Sequence, residues 1–514
     1  MLAVSVFFGF KKQGFYIDEY YIYCHANGTQ TGMDINAGEW NDTDRYFGQL
    51  VSEGEENFDF RQTYETERNG THPPLYYYLV HFVSSIFSGV FSKWIGLSIN
   101  IAILLPIMIL VNKIAWKLSA GNELVTLSSM FLFGLSTATI SMTMLIRMYL
   151  LLALWTLLYA YIHIADLERD RLSVPRFLLP VFLCGFFGFL TQYFFLIIMF
   201  FISFVYAFYL LVSCRRVKDV LIYGTTAVVS LICTYFPWSI SYFHIFKGPR
   251  GKGAFSQARN LSDCVRRLGV HLGYMNKMMF GGLLPLFVVL LIVGTVLIVR
   301  RCIEIKRSSG TPVLNKLSIP TRGFIMIALA SIFNFIVLSQ VSLMDGIACF
   351  RHSYTSYSLF MILLPVGLYR LAGSFGKKSE KNAYTVMIAA VSLILILGFV
   401  QKRVLFLYEN EREAMTFARQ HPDEKVMMIE HDDGNYDSMM QQIIMYPRVY
   451  FAIDSAPETI KNDEIANADE LLVYMTNRAE NTEECFEAIY SQNPKLTTAE
   501  HLWDFDFFSV YLMK

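Results

Sequence analysis

Phe15-Tyr16-Ile17-Asp18-Glu19-Tyr20-Tyr21 and Thr71-His72-Pro73-Pro74-Leu75-Tyr76-Tyr77-Tyr78 bracket a polar segment in a chain that is otherwise strongly apolar. The segment opens on adjacent carboxylates and closes on a histidine followed by two prolines. A polar loop held at the mouth of an apolar bundle is a place for chemistry. The remaining sequence reads as the scaffold that holds it there.

Residues of the AVILMFWYC set make up 54% of the chain and DEKR only 17%, against about 25% charged residues in a soluble protein. The charges thin out between 94 and 401 and crowd into 402–514. That distribution reads as an integral membrane protein with a polar C-terminal domain. Basic and acidic side chains number 43 each, so the net charge of zero gives no handle for a nucleic-acid partner. The 8 cysteines show no C-x-x-C or metal-ligand spacing and read as buried small hydrophobes or scattered thiols.

The apolar runs predict a polytopic α-helical bundle of about eleven transmembrane helices. MLAVSVFFGF (1–10) is too short to cross a bilayer and reads as the outer end of a first helix, shortened by the choice of start codon. Spans are expected at 93–111, 124–146, 149–165, 219–237, 282–299, 323–341, 353–371 and 384–401. The run 177–212 carries no acidic or basic side chain and fits two short spans turned near Gly188–Gln192. Residues 73–88 fit a helix lying in the interface, since the two prolines suit a first turn. Lysine and arginine gather in 112–123, 166–176, 213–218, 300–322 and 372–383, which places these loops inside. The outer face then carries 15–92, 238–281, 342–352 and the C-terminal domain. The chain divides into a membrane module, 1–401, and a soluble domain, 402–514. In that module 15–92 is the first outer loop and 238–281 the second large one. In the soluble domain Glu424–His431 and Glu470–Met475 read as strands and Asn435–Met445 as a helix, a small α/β domain. The terminal stretch HLWDFDFFSVYLM reads as a segment docked onto the bundle.

Several polar residues are candidates for chemistry. Asp18 and Glu19 can take the proton of an attacking hydroxyl or hold a divalent cation, and they also fit a solvated loop edge. His72 is pinned ahead of Pro73 and suits phosphate, metal or a packing role. Arg147 sits in a tight turn between two apolar runs, where a cation meets an anion or snorkels. Lys247-Gly248-Pro249-Arg250-Gly251-Lys252-Gly253, followed by Arg259, Arg266 and Arg267, offers cations and backbone N–H groups to a phosphate or to anionic lipid. Asp345, Arg351 and His352 occupy an outer turn, with Arg351 a second candidate for a lipid phosphate. His431-Asp432-Asp433, Asp504 and Asp506 are the polar clusters of the C-terminal domain. No cofactor is demanded; a divalent cation held by Asp18, Glu39 and His72 stays open.

Taken together, Ile17-Asp18-Glu19, His72-Pro73-Pro74-Leu75-Tyr76-Tyr77 and their placement ahead of a multispan bundle resemble the membrane glycosyltransferases of the C-type (GT-C) fold. The resemblance is to bacterial relatives of the dolichyl-phosphate-mannose protein mannosyltransferases and the aminoarabinose transferases, a glycosyltransferase family 39-like group. Ile146-Arg147-Met148-Tyr149, Pro249-Arg250-Gly251-Lys252 and Arg351-His352 look like the arginine-bearing outer turns of such proteins. His352, where many relatives carry tyrosine, and the short first helix depart from the pattern.

The resemblance implies inverting transfer of a sugar from a polyprenyl-phosphate donor to an acceptor outside the cytoplasm: an envelope glycan, a lipid or a protein hydroxyl. It implies Asp18, Glu19 and His72 as catalytic residues and Arg147, Arg351, Arg250 and Lys252 on the lipid phosphate. It also implies a bacterial cytoplasmic membrane, with membrane lipids as partners. Two rival readings are a transporter or flippase of lipid-linked sugars and a catalytically inactive scaffold of the same fold. A transporter calls for ionisable residues deep in the spans, where few occur.

Overall fold

The computed structural model describes every residue except 30–34, 310–316, 343–345, 374–378, 432–439, 480 and 506–507. Asp345, Asp432, Asp433 and Asp506, and residues 435–439 of the helix expected at 435–445, therefore lie outside the described residues. The first polar loop is mostly helical: α1 (Leu2–Lys11), α2 (Ile17–Asn27), β1 (Trp40–Asp42), α3 (Asp44–Leu50), α4 (Phe60–Arg68) and α5 (Leu75–Ile86). The bundle follows as α6 (Lys93–Leu118), α7 (Glu123–Leu135), α8 (Thr137–Met144), α9 (Tyr149–Asp166), α10 (Leu179–Thr191), α11 (Phe195–Val212) and α12 (Val217–Cys233). The second large loop holds α13 (Ile240–Phe246), α14 (Pro249–Arg259) and α15 (Cys264–Met278). It leads into α16 (Leu284–Ser309), α17 (Ile319–Val341), α18 (Gly346–Gly373) and α19 (Ser379–Val400).

Among the described residues 7 helices are long and apolar enough to cross a membrane, or 8 when a bent pair is taken as one. About eleven were expected from the sequence. Of the others, α1 has 10 residues and α12 has 17, each short for the span expected there, while α16 runs for 26 residues and is apolar over Leu284–Val296. The stretch 124–146, read as one straight span, is a broken one. Helices α7 and α8 meet at 46°, because Ser136 leaves the helical conformation and its hydroxyl caps α8 at Thr139 N. The run 177–212 divides as expected, with the backbone of Gln192 extended between α10 and α11.

Asparagine in a span is tolerated where backbone carbonyls receive its amide. Asn100 of α6 donates to the carbonyls of Thr143 (3.1 Å) and Leu145 (2.7 Å), and its own oxygen accepts from Tyr76 Oη of α5 at 3.0 Å. One side chain thus fixes the end of the broken span against the first polar loop.

The C-terminal domain is a six-stranded mixed sheet in the order β1-β3-β2-β4-β6-β5. Its strands are β2 (Val426–Glu430), β3 (Arg448–Ile453), β4 (Leu471–Thr476), β5 (Ala499–Phe505) and β6 (Phe508–Met513), with helix α20 (Glu411–Gln420) ahead of β2. Strands β2 and β4 pair in parallel and are buried throughout, which is why both read as unbroken apolar runs. Their alternate residues face two cores. Val426, Met428 and Tyr474 join the core that runs on into the bundle, while Met427, Ile429 and Val473 pack with Cys485 and Ile489 of α21 (Thr482–Gln492). The terminal stretch, read as a docking segment, forms the antiparallel pair β5–β6 at one edge of this sheet, and its Phe508, Val510 and Leu512 lie in the core that runs on into the bundle. The other edge is β1, from the first polar loop. The domain and that loop therefore share a sheet.

Replacing Asn100 by leucine takes away the partner of the Tyr76 hydroxyl and the side-chain donor to the Thr143 carbonyl, while the Leu145 carbonyl keeps the Arg147 N–H. Each such group costs about 1–3 kcal/mol, so Asn100→Leu is expected to lower the unfolding temperature of the purified protein in detergent, whereas Asn112→Leu, at an exposed position on the same helix, leaves it nearly unchanged.

Candidate active site

Tyr16 precedes α2 with an extended backbone, and Glu19, three residues on, turns its carboxylate back to the Tyr16 N–H at 2.6 Å. This half of a capping box starts the helix and fixes where Asp18 projects. Glu19 does more than cap. The same Oε2 accepts from Lys12 Nζ at 2.9 Å, and Oε1 accepts the Ile146 N–H at 2.5 Å, all in a fully buried setting. Lys12 Nζ donates in addition to the Phe406 carbonyl at 2.9 Å. Burial pushes the Glu19 carboxyl up, and the Lys12 ammonium opposes that push. Glu19 is thus bonded to protein on every side shown, and it joins α1, α2, the α8–α9 turn and the segment entering the C-terminal domain.

Asp18 points the other way, into the mouth of the bundle. Arg351 Nη1 from the start of α18 contacts Asp18 Oδ2, and Arg147 Nη2 from the α8–α9 turn stands 3.9 Å from the same oxygen. Arg147 Nη1 also donates to the Asp18 carbonyl at 3.0 Å. The side chains of Arg147 and Arg351 are 4% and 10% exposed against 20% for Asp18, so water reaches the carboxylate more readily than either cation. Among the described residues neither guanidinium Nε, both buried, has a hydrogen-bond partner. The Arg351 guanidinium also lies over the rings of Tyr16 (5.7 Å) and Tyr149 (5.8 Å).

His72 completes the group. Arg147 Nη2 donates to His72 Nε2 at 3.1 Å. Since the guanidinium supplies the proton, Nε2 is the acceptor and the ring in this arrangement is the neutral tautomer. The His72 N–H donates to Glu67 Oε1 at 3.1 Å, and the other oxygen of Glu67 meets His25 Nδ1 at 2.6 Å. Burial raises the Glu67 carboxyl, with the His25 contact opposing it. Glu67, His25 and Lys12 were not singled out from the sequence. An acidic residue on the first outer loop carries no signal of its burial until the loop is folded.

The structure brings together Asp18, Arg147, Arg351 and His72, with Glu19 on the far side of α2. Other expected site residues lie elsewhere. Lys252 is exposed on α14, and among the described residues no hydrogen bond or ion pair joins it to Asp18. Arg250 lies on the same helix, with its side chain outside the described ones. Glu39 is exposed beside β1, its carbonyl taken by Phe451 N and Asn41 Nδ2. It therefore stands at the sheet edge and forms no metal cluster with Asp18 and His72. Among the described residues no group of three or more His, Cys, Asp or Glu is arranged to hold a metal ion. His352 faces away from Asp18: its Nδ1 meets Ser342 Oγ at 2.7 Å and its ring packs on Phe194. Of the basic run in the second large loop, Arg267 is buried and donates to the Asn260 carbonyl at 2.6 Å.

No protein-family model matches the chain, and no curated protein matches it. Among solved structures it is similar to ArnT from Cupriavidus metallidurans bound to undecaprenyl phosphate. That likeness has 9% identity and a TM-score of 0.49 and covers 99% of this chain and 96% of the other. It is also similar to the apo form of that ArnT, at 11% identity and a TM-score of 0.42, over 86% and 87% of the two chains. With TM-scores below 0.5 neither likeness carries an argument here.

The buried Lys12–Glu19 pair yields a direct test. Removing one partner of a buried ion pair is destabilising by about 3–5 kcal/mol, because the other charge is left uncompensated. Lys12→Met is therefore expected to unfold at markedly lower temperature than the unsubstituted protein, and Lys12→Met/Glu19→Gln to recover part of the loss in the same thermal scan.

Proposed function

We propose that this protein transfers a sugar from a polyprenyl-phosphate donor to an acceptor hydroxyl outside the cytoplasm, with inversion at the anomeric carbon. The observation that carries the reading is the Asp18 carboxylate flanked by two buried arginines from separate elements of the bundle. The resemblance of Ile17-Asp18-Glu19 and His72-Pro73-Pro74 to the C-type membrane glycosyltransferases supports the same reading, as does the multispan bundle. The setting is a bacterial cytoplasmic membrane, with the Asp18 end of the bundle facing out.

The chemistry follows from the charges. An acceptor hydroxyl attacks the anomeric carbon, and its proton passes to Asp18. The bond from the anomeric carbon to the phosphate oxygen breaks, its electron pair staying on that oxygen. The phosphate then carries the added charge to Arg147 and Arg351, whose unused Nε–H groups and planar guanidinium forks suit it. Arg351 pairs with one oxygen of the Asp18 carboxylate. An arriving phosphate competes for that guanidinium and frees Asp18, so the base becomes available when the donor is in place. His72, as a neutral acceptor, orients Arg147, and Glu19 acts as a positioning residue rather than a second base. Keeping the phosphate at headgroup level lets the prenyl chain remain in lipid while only the charged end enters protein. No metal is needed to balance this step; one bound beside Asp18 would serve the phosphate.

Transfer of radiolabelled sugar from a panel of polyprenyl-phosphate sugars is to be measured in membranes containing the protein. The wild type is expected to incorporate label, and a folded Asp18→Asn protein to lose about a hundredfold or more of that rate. Full transfer by Asp18→Asn removes Asp18 as the base; absence of transfer from every donor in the wild type favours a scaffold or transport role.

A further inference from the structure

A second site stands apart from Asp18, where the end of α1 meets the C-terminal domain. A cleft of about 590 Å³ is lined by Lys11, Glu409, Asn410, Arg412, Glu413, Trp503 and Asp504. We propose that this cleft binds an uncharged or weakly cationic saccharide, with Trp503 as its stacking platform and the carboxylates of Glu409, Glu413 and Asp504 as acceptors for its hydroxyls.

Three independent features point to such a ligand. The first is how Trp503 reaches the cleft. Between His501 and Trp503 strand β5 advances two residues while β6 advances one, from Tyr511 to Val510, so Leu502 is the extra residue of a bulge. Bulges re-aim side chains and are over-represented beside functional sites. The second is the indole itself. Among the described residues its buried N–H has no hydrogen-bond partner, and the ring packs on Phe417 at an interplanar angle of 60°, with centroids 5.4 Å apart. An aromatic ring held by a neighbour, with an unused donor, suits a ligand with an apolar face and hydroxyl rims.

The third is charge. Lys11 already pairs with Glu409 at 3.4 Å, which leaves Arg412 against Glu413 and Asp504. Asp504 accepts from Ser509 Oγ at 2.8 Å and meets His501 Nε2 at 3.0 Å; those bonds depress its carboxyl below the ordinary range and keep it an acceptor. The lining is thus mildly negative, rich in acceptors and supplied with a cation and an amide. That combination admits hydroxyl-rich neutral or amino sugars and disfavours polyanions.

The cleft is fixed relative to the Asp18 site. Lys11 precedes Lys12, which holds Glu19, and the chain reaching Glu409 is bent by left-handed backbone at Lys402, Phe406 and Tyr408. Non-glycine residues persist in that conformation only where surrounding structure holds them. On the transferase reading, on which this step alone rests, the cleft holds part of the acceptor glycan while a hydroxyl of the same chain meets Asp18.

The test is titration calorimetry on the full-length protein in nanodiscs with maltotetraose, cellotetraose and chitotetraose, without donor. Saturable binding of at least one is expected, weakened about tenfold or more by Trp503→Ala and by less in Glu413→Gln, at an exposed position. Trp503→Phe keeps the packing on Phe417 and is expected to weaken binding as well, through the lost N–H. Failure of all three oligosaccharides to bind saturably, or equal binding by wild type and both Trp503 variants, overturns the proposal. Because no donor is present, saccharide binding without any transferase activity would retain the cleft and remove only its acceptor role.

Discussion

The buried carboxylate of Glu19 is the constraint on which the arrangement depends. Its two oxygens receive Lys12, the Tyr16 N–H and the Ile146 N–H, and Lys12 passes the connection to the Phe406 carbonyl. Three stretches distant in sequence, 12–19, 146 and 406, therefore meet at the Lys12–Glu19 pair. A fully buried carboxylate is tolerable only when its lone pairs are filled and its charge is countered, and here both conditions are met by groups that must be correctly placed for Asp18 to face Arg147 and Arg351. Gly96 shows how tight this fit is. A Cβ there would fall 2.1 Å from Ile146 Cγ2, in the residue beside Arg147, while the Gly96 N–H donates to Tyr23 Oη at 3.1 Å.

The membrane setting explains why the site gathers so many hydrogen-bonding groups at one end of the bundle. Charges deep in a bilayer are expensive, whereas at headgroup level they meet water on one side and low dielectric on the other. Asp18 holds both Arg147 and Arg351, with the tyrosine rings of 16 and 149 beside Arg351 and His72 on Arg147. An anionic headgroup is the natural competitor for cations placed in this way. The C-terminal domain contributes by sharing its sheet with the first polar loop: β1 pairs with β3 over Trp40–Asp42, and Gln441 N–H donates to Tyr20 Oη at 3.0 Å. Loop and domain thus fold as one roof over the bundle mouth.

Much of this was legible in the sequence. Long apolar runs locate most of the spans, and buried parallel strands appear as the unbroken runs at 426–430 and 471–476. Asp18, His72, Arg147 and Arg351 stood out because polar groups are conspicuous against apolar surroundings. What could not be read were the long-range contacts. Nothing local distinguishes Asp18, which faces the mouth, from Glu19, which is sealed behind it. The three residues of β1 are too few to show alternation, and the 46° break at Ser136 leaves the apolar run intact. The basic stretch around Arg250 and Lys252 reads as suited to phosphate from its composition; in the structure it lies on helix α14, and among the described residues no hydrogen bond or ion pair joins Lys252 to Asp18. The terminal aromatic stretch was read as a docking segment because a hairpin edge strand and a docking strand share the same residues.

In the proposed reaction donor phosphate takes Arg351 from Asp18. A cryo-electron microscopy structure of the protein in nanodiscs with a polyprenyl phosphate tests this. Phosphate density is expected between Arg147 and Arg351, with the Asp18–Arg351 contact opened and Glu19 still bonded to Lys12. Phosphate bound elsewhere, or an Asp18–Arg351 contact unchanged with the lipid in place, would contradict it.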